Sequence, residues 1–356
     1  MRKGGCRGFY LLVFLFYSMS SQSIVAFGEM MLRLSTPGFA RVTQSTRFDA
    51  TYGGGEANVL VSLAQFGMPT TYVTRLPNNE LGKSAMQLIR QNGVDTSRIV
   101  YGGERLGIYF VEVGSGSRAS KVIYDRAYSS FSQLQLGMIN WEDVLKDARW
   151  FHWTGITPAI SEGAAQCCRE AIGVANQKGI RVSADVNYRK NLWQYGKTAD
   201  EVMPGLVEGC DLIIASENDA ADIFNIRAKS GADDAYVSVC RQLRQRFPRL
   251  KQIVTTHRKV LSSSHNKLSA VLWNGQDLKR TVAHTIDPIV DRIGGGDAFM
   301  AGLIYGLLTY PDEQQALDFA VAASVLKHTI EGDANLATVP EVEALVKGEN
   351  VGRLVR

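Results

Sequence analysis

The sequence has no Cys-x-x-Cys pair, no run of five or six like charges and no apolar stretch long enough to cross a bilayer. Each absence removes a class of function. The five cysteines, Cys6, Cys167, Cys168, Cys210 and Cys240, lack zinc spacing, and adjacent Cys167 and Cys168 fall in a helical stretch. They read as buried thiols of a reducing compartment. None of His152, His257, His265, His284 and His328 forms an i,i+4 pair or lies near a cysteine, which argues against a histidine-based metal site. With 39 Lys+Arg against 35 Asp+Glu, the net charge of +4 is too small and too dispersed for a nucleic-acid or anionic-membrane partner. A Gly-x-Ser-x-Gly elbow is missing, as are internal repeats and low-complexity linkers. No Gly-x-Gly-x-x-Gly follows the first strand, which disfavours a nicotinamide dehydrogenase.

What is present is a chain of 356 residues with 45% hydrophobic and 21% charged residues, the balance of one large soluble α/β domain or two smaller ones. Arg2, Lys3 and Arg7 precede a nine-residue apolar run, Phe9–Tyr17, where a span needs about 20 residues. The run resembles a secretory signal, but Ile24-Val25-Ala26-Phe27-Gly28 follows it at once and reads as a buried first strand. Translation is therefore expected to start at Met19, with residues 1–18 an upstream misreading and a genuine signal the alternative. Residues 1–23 are the expected leader or misassigned start, 24–345 the expected domain and 346–356 a tail.

From Ile24 onward short apolar runs alternate with helical periodicity, which predicts a mainly parallel, doubly wound sheet. Strands are expected at 24–27, 71–75, 150–154, 181–185, 212–215 and 252–256. Helices are expected at 56–66, 83–91, 161–178, 219–224, 235–247, 297–308 and 312–328. Two stretches break the alternation: extended runs in Met31–Thr51, and a hairpin in Leu106–Asp125 turning at Gly114-Ser115-Gly116-Ser117. They predict a small separate sheet that serves as a lid.

The strongest local motif is Asp291-Arg292-Ile293-Gly294-Gly295-Gly296-Asp297 before an apolar helix. Three glycines there leave backbone N–H groups bare at a helix N-terminus, an arrangement that binds phosphate. Asp297 could cap the helix or take a proton from an incoming hydroxyl. Gly53-Gly54-Gly55-Glu56-Ala57-Asn58 is a second glycine turn opening a helix, where Asn58 can both donate and accept. Leu81-Gly82-Lys83-Ser84 imitates the tail of a Walker loop, but Pro77 stands where its first glycine belongs.

Taken together these motifs resemble the PfkB (ribokinase-like) carbohydrate kinases across residues 24–345. The opening Phe27-Gly28-Glu29, the Gly53–Asn58 turn and Gly294–Asp297 carry the resemblance, with Arg75–Gly82 and Asn92–Thr96 in the same order. Within the family the chain is most similar to kinases of 2-dehydro-3-deoxygluconate, through Gly107–Phe110, Tyr124–Ala127, Asp185–Trp193 and Leu326–Asp333. A keto-deoxy sugar acid carries a carboxylate, which an arginine fork holds well, and Arg126 and Arg189 are the candidates.

The resemblance implies a ribokinase-like three-layer α/β core with a β lid (about 31–51 and 106–125), fed by ATP and Mg²⁺. It implies Asp297 as catalytic base and Gly294, Gly295 and Gly296 as anion hole. Gly54, Gly55, Asn58, Tyr109, Tyr124, Arg126 and Arg189 correspond to substrate contacts. Asn187, Ser216, Thr256, Arg258, Gly294 and Gly296 correspond to ATP contacts, with Thr256 and Arg258 in a nucleotide loop and Asp219 an indirect partner of the metal. Arg292, Ile293 and Gly295 depart from the family signature, which puts a monovalent-cation site beside Asp291 in doubt. The implied product is the 6-phosphate of the sugar acid. A fructokinase and a catalytically silent sugar-binding protein are the rival readings. A cytoplasmic homo-oligomer is expected, with neither nucleic acid nor membrane as partner.

Overall fold

The computed structural model describes residues 22–349. The expectations for the leader, for Met19 as start and for most of the tail lie outside them. The chain opens with β1 (Ser23–Phe27), then makes an excursion through β2 (Met31–Ser35) and β3 (Asp49–Gly53). Helix α1 (Gly55–Gln65) returns it to β4 (Thr70–Val73). Short β5 (Arg75–Leu76), α2 (Glu80–Gln91) and β6 (Val100–Tyr101) lead to a second excursion, β7 (Gly107–Glu112) and β8 (Lys121–Asp125). Next come α3 (Trp141–Val144), β9 (Ala148–Thr154), α4 (Thr157–Ile160), α5 (Glu162–Gln177) and β10 (Arg181–Asp185). Helix α6 (Ala199–Val207), β11 (Leu212–Ile214), α7 (Glu217–Phe224) and α8 (Ala235–Arg246) precede β12 (Gln252–Ser262). The chain then adds β13 (His265–Trp273), β14 (Leu278–Arg280) and β15 (His284–Ile286) before α9 (Gly295–Thr309), α10 (Glu313–Lys327) and α11 (Val339–Val346).

The main sheet runs β14-β13-β12-β11-β10-β9-β1-β4, with β15 also on β13. From β4 to β12 every pairing is parallel, and β13 to β15 extend the sheet antiparallel. Strand β1 shows why its sequence is apolar throughout. Side chains alternate across a strand, so Ile24 and Ala26 enter the helical layer of α1, α2, α9, α10 and α11, and Val25 and Phe27 enter the layer of α3 and α5 to α8.

The two excursions meet in a separate four-stranded sheet, β3-β2-β7-β8, as the broken alternation predicts. Its inner pair, β2 and β7, is parallel because the two arrive from different parts of the chain. Met31, Tyr109 and Val111 form a small apolar cluster on it, and Ile293 packs against them. The departure at Ile293 thus seats the lid beside the glycine turn.

Three expectations need correction. Strand β12 does not end at Thr256 but continues to Ser262, because His257 to Val260 pair with Asn266 to Ser269 of β13. Arg75 leaves the main sheet and pairs with Val100. The sheet also carries three antiparallel strands, and helix α6 lies between β10 and β11 in the chain; the sequence pattern indicates neither.

Candidate active site

The chain leaves β1 for β4 on one side, while β9 lies on the other. Loops diverge at such a switch point, and the crevice at the carboxyl ends of the strands is where open α/β sheets bind ligands. A cavity of about 490 Å³ opens there, reached by Asp185 at the end of β10, Ser216 after β11, Thr255 on β12 and the turn before α9.

The three glycines of that turn differ in role. Gly294 has φ +82°, and a Cβ on it would sit 1.8 Å from the Asp333 carbonyl, so only glycine fits. Gly295 packs on the His328 ring and its carbonyl accepts from Ser324 Oγ at 2.7 Å. Gly296 has nothing within 4 Å of its would-be Cβ and faces open space. Helix α9 therefore begins with exposed N–H groups at the positive end of its dipole.

Asp297 sits in the first turn of α9, partly buried, and its Oδ2 accepts from Asn58 Nδ2 at 2.7 Å. Burial pushes its pKa up to about 8; the Asn58 hydrogen bond opposes this, and the charges of Asp185, Asp333 and Glu56 add to it. Its carboxylate is therefore a poised base at near-neutral pH. Glu56 lies deeper. Its Oε1 accepts from Thr154 N at 3.0 Å, Thr154 Oγ1 at 2.9 Å and Thr157 Oγ1 at 2.7 Å, tying α1 to the end of β9. Burial raises its pKa as well.

The cavity gathers most of the residues singled out in the sequence. Gly54, Gly55, Asn58, Tyr109, Tyr124 and Arg189 line it with the glycine turn and Asp297. Asn187, Ser216, Asp219, Thr256 and Arg258 line it as well. Thr256 and Arg258 do so from within strand β12 rather than from the expected nucleotide loop, since no glycine interrupts the pairing with β13. Arg126 stands apart. It lines an adjoining cavity of about 840 Å³ with Tyr124, Tyr188 and Arg189, and its Nε donates to Glu29 Oε2 at 2.9 Å. Its fork is engaged within the protein, unlike the free carboxylate clamp expected of it.

Asp219 is likewise partly committed: its Oδ2 accepts from Ser216 N at 2.8 Å and Ser216 Oγ at 2.6 Å, a reciprocal cap on α7. Its charge, added to burial, brings the pKa of Asp185 up to about 7. Among the described residues no group of three metal-ligating side chains exists. Asp185 and Asp219 still suit a hard ion that arrives with its own phosphate oxygens and waters.

Further charged residues complete the site, Arg33 and Asp333 among them with no role in the sequence reading. Arg33 on β2 pairs with Asp291 at 2.7 Å and with Asp333 at 2.6 Å, and Tyr109 on β7 donates to Asp333. These contacts join the lid to Asp291, just before the glycine turn, and to Asp333, whose carbonyl lies against Gly294. Arg189, Arg258 and Arg292 crowd one end of the cavity; burial and then the charges of Arg292 and Arg189 lower the pKa of Arg258. Such a cluster is a field for a polyphosphate. Arg33 lies in an apolar strand, Met31-Leu32-Arg33-Leu34, and that lone charge between apolar neighbours was the available signal.

A poised carboxylate, an anion-binding helix start and an arginine cluster at a switch point, all under a β lid, define a small-molecule phosphotransferase of the doubly wound α/β class. Residues 21–339 match the pfkB family of carbohydrate kinases, and the chain belongs to that family. Its structure is similar to that of the 2-dehydro-3-deoxygluconokinase of Thermotoga maritima, with a TM-score of 0.87 and 41% identity, covering 92% of this chain and 98% of that one. The 2-dehydro-3-deoxygalactonokinase of Haloferax volcanii is 29% identical over 329 residues, 92% of this chain and 98% of that protein. The 2-dehydro-3-deoxygluconokinase of Thermoproteus tenax is 27% identical, over 91% and 94% of the two chains.

Proposed function

We propose that this carbohydrate kinase transfers the γ-phosphoryl group of ATP to the C6 hydroxyl of 2-dehydro-3-deoxy-D-gluconate. The observation that carries the reading is the position of Asp297, hydrogen-bonded to Asn58 in a cavity that the Gly294–Gly296 turn and Arg189 also line. In its ionised form Asp297 takes the hydroxyl proton as the oxygen bonds to phosphorus, and the bond from phosphorus to the bridging oxygen of ADP breaks. The backbone N–H groups of the turn hold the oxygens on which charge develops. Asn58 and Arg189 orient the sugar acid, with the Arg189 fork matching its carboxylate. Tyr109 and Tyr124 on the lid keep water from the phosphoryl group. Asp185 and Asp219 would hold, through its waters, the Mg²⁺ that arrives with ATP, and that ion would supply charge neutralisation.

The 41% identity to the Thermotoga maritima enzyme supports the sugar-acid assignment over a neutral hexose. The Haloferax volcanii relative makes the C4 epimer, 2-dehydro-3-deoxygalactonate, the second substrate to test. No helix among the described residues is long and apolar enough to cross a membrane. A need for ATP supports the expected cytoplasmic location, and the exposed apolar side chains of edge strand β8, Val122, Ile123 and Tyr124, support a homo-oligomer.

A coupled ADP-release assay on purified protein, run against both sugar-acid epimers, fructose and ribose, tests the assignment. A kcat/KM for a 2-dehydro-3-deoxy sugar acid at least 100-fold above either neutral sugar is expected. Preference for fructose would overturn it, and absence of turnover with every sugar would favour the silent sugar-binding reading.

A further inference from the structure

The departures at Arg292, Ile293 and Gly295 put a monovalent-cation site beside Asp291 in doubt, and the residues there do not fit an ion. Asp291 Oδ2 is paired with Arg33 Nη2 at 2.7 Å and accepts from Gly332 N at 3.2 Å, while Oδ1 accepts from Ile293 N at 3.0 Å. The main-chain oxygen of Asp291 faces Lys327 Nζ at 3.5 Å, and the same ammonium donates to the Ile330 carbonyl at 3.0 Å. Carboxylate and carbonyl oxygens are the donors that a potassium-type ion needs, and here cationic side chains of the chain itself already hold them.

Lys327 is the last residue of α10 and is 0% exposed. Its side chain passes under the anion-binding turn: a Cβ on Gly294 would lie 3.3 Å from Lys327 Cε. A fully buried lysine is rare and survives only where its charge is compensated. Burial lowers its pKa, the charges of Asp291, Asp333 and Asp297 raise it, and Arg33 lowers it again. Three carboxylates thus face two cations beneath one phosphate-binding turn. No carboxylate lies within ion-pair distance of the ammonium among the described residues, so carbonyls are its direct partners and its charge remains effective toward the turn.

We propose that Lys327 is a positioning residue whose ammonium stands in for a bound monovalent cation beneath Gly294–Gly296, so that this kinase works without potassium-type activation. The tethered charge reinforces the positive N-terminus of α9 and keeps its N–H groups aimed at the incoming γ-phosphate. An exchangeable ion would do this only when bound; a covalently attached one does so at every ionic composition.

The inference rests on the kinase reading, but it can be tested without the sugar. MgATP binding is measured by calorimetry, and turnover with whichever sugar is accepted, at constant ionic strength in potassium, ammonium or tetramethylammonium chloride. Wild-type affinity and kcat are expected to agree within about twofold across the three salts. Lys327→Met, which keeps the length without the charge, should weaken MgATP binding at least tenfold and lower kcat at least 100-fold, leaving KM for the sugar within about threefold. Lys327→Ala should regain at least tenfold in kcat or MgATP affinity with potassium, ammonium or methylammonium ions, a rescue that a purely packing role would not produce. Thermal melts verify folding, and the wild-type salt comparison stands even if both variants unfold. Activation of the wild type more than fivefold by potassium over tetramethylammonium overturns the proposal, as does a folded Lys327→Met enzyme with wild-type MgATP affinity and kcat. If no sugar is phosphorylated yet MgATP binding follows this pattern, the substrate assignment falls and the built-in cation stands.

Discussion

Asn58 donates to Asp297 at 2.7 Å, linking residues 239 positions apart and fixing the start of α1 against the start of α9. The bond holds the carboxylate in place and favours its ionised form, against a burial that pushes the pKa up to about 8. A base works only when ionised, so kcat/KM should rise with pH, gaining close to tenfold per unit below about 8 and levelling above it. In Asn58→Ala the lowering influence is gone, and the acid limb should move to higher pH. Rate profiles from pH 5.5 to 9.5 check both. A limb that stays put in Asn58→Ala would mean the bond has no hold on the proton.

Asp297→Asn separates chemistry from stability. General-base loss costs about 10²–10⁴-fold, so kcat should fall by roughly that factor while MgATP still binds. Stability should change in the opposite direction. The carboxyl's folded-state pKa, about 8, lies above its ordinary 3.8, so the folded protein holds a proton that the unfolded chain has released. That contribution is fully present below 3.8 and is lost as pH rises to about 8. Asparagine does not titrate, so the melting temperature of Asp297→Asn relative to wild type should climb between pH 5 and 8.5. Parallel melting curves across that range would refute the burial argument.

The glycine turn offers a matched pair of alanine variants. Gly294→Ala must hold a side chain at φ +82° and press it into the Asp333 carbonyl, so it should destabilise the fold by more than about 2 kcal/mol. Gly296→Ala meets nothing in the protein and sits inside a helix, where alanine is favoured over glycine by up to about 1 kcal/mol. It should melt at or slightly above the wild-type temperature yet lose at least 100-fold in kcat/KM, because its methyl group occupies the space proposed for the phosphate. Urea melts alongside ATP titrations distinguish the two. An active Gly296→Ala enzyme would remove the turn from the phosphate site.

Much of this arrangement was legible in the sequence because it is local. Runs such as Ile24–Phe27 and Arg181–Asp185 are buried on both faces, and the glycine turns directly precede their helices. The antiparallel extension was not legible. In β13, Leu268, Ala270 and Leu272 alternate with Lys267 and Ser269, a pattern over few residues that also suits a loop until β12 is known to continue. Arg33, Glu56, Asp333 and Lys327 received no role from the sequence for another reason. Each has at least one partner far off in sequence, as Arg33 and Asp333 do across 300 positions, and neither spacing nor composition reports such a meeting.

The pairing of Arg126 with Glu29 divides the work between the two arginines proposed for the substrate. Arg126 is held by a carboxylate that is only 3% exposed, whereas Arg189 faces both cavities and has no ion-pair partner among the described residues. Arg189→Met should therefore raise KM for the sugar acid about 10- to 100-fold, the worth of a charge-assisted hydrogen bond, and narrow its advantage over a hexose. Arg126→Met should act first on stability, by about 3–5 kcal/mol, because it strands Glu29 as an unpaired buried charge. Adding Glu29→Gln should recover much of that loss, since a neutral amide can still accept from Ser129 Oγ. A double-mutant cycle of melting free energies, with KM measured for each variant, checks the division. If Arg126→Met, Glu29→Gln is stable but binds the sugar acid as poorly as Arg189→Met, Arg126 reaches the carboxylate after all and must leave Glu29 when the substrate enters.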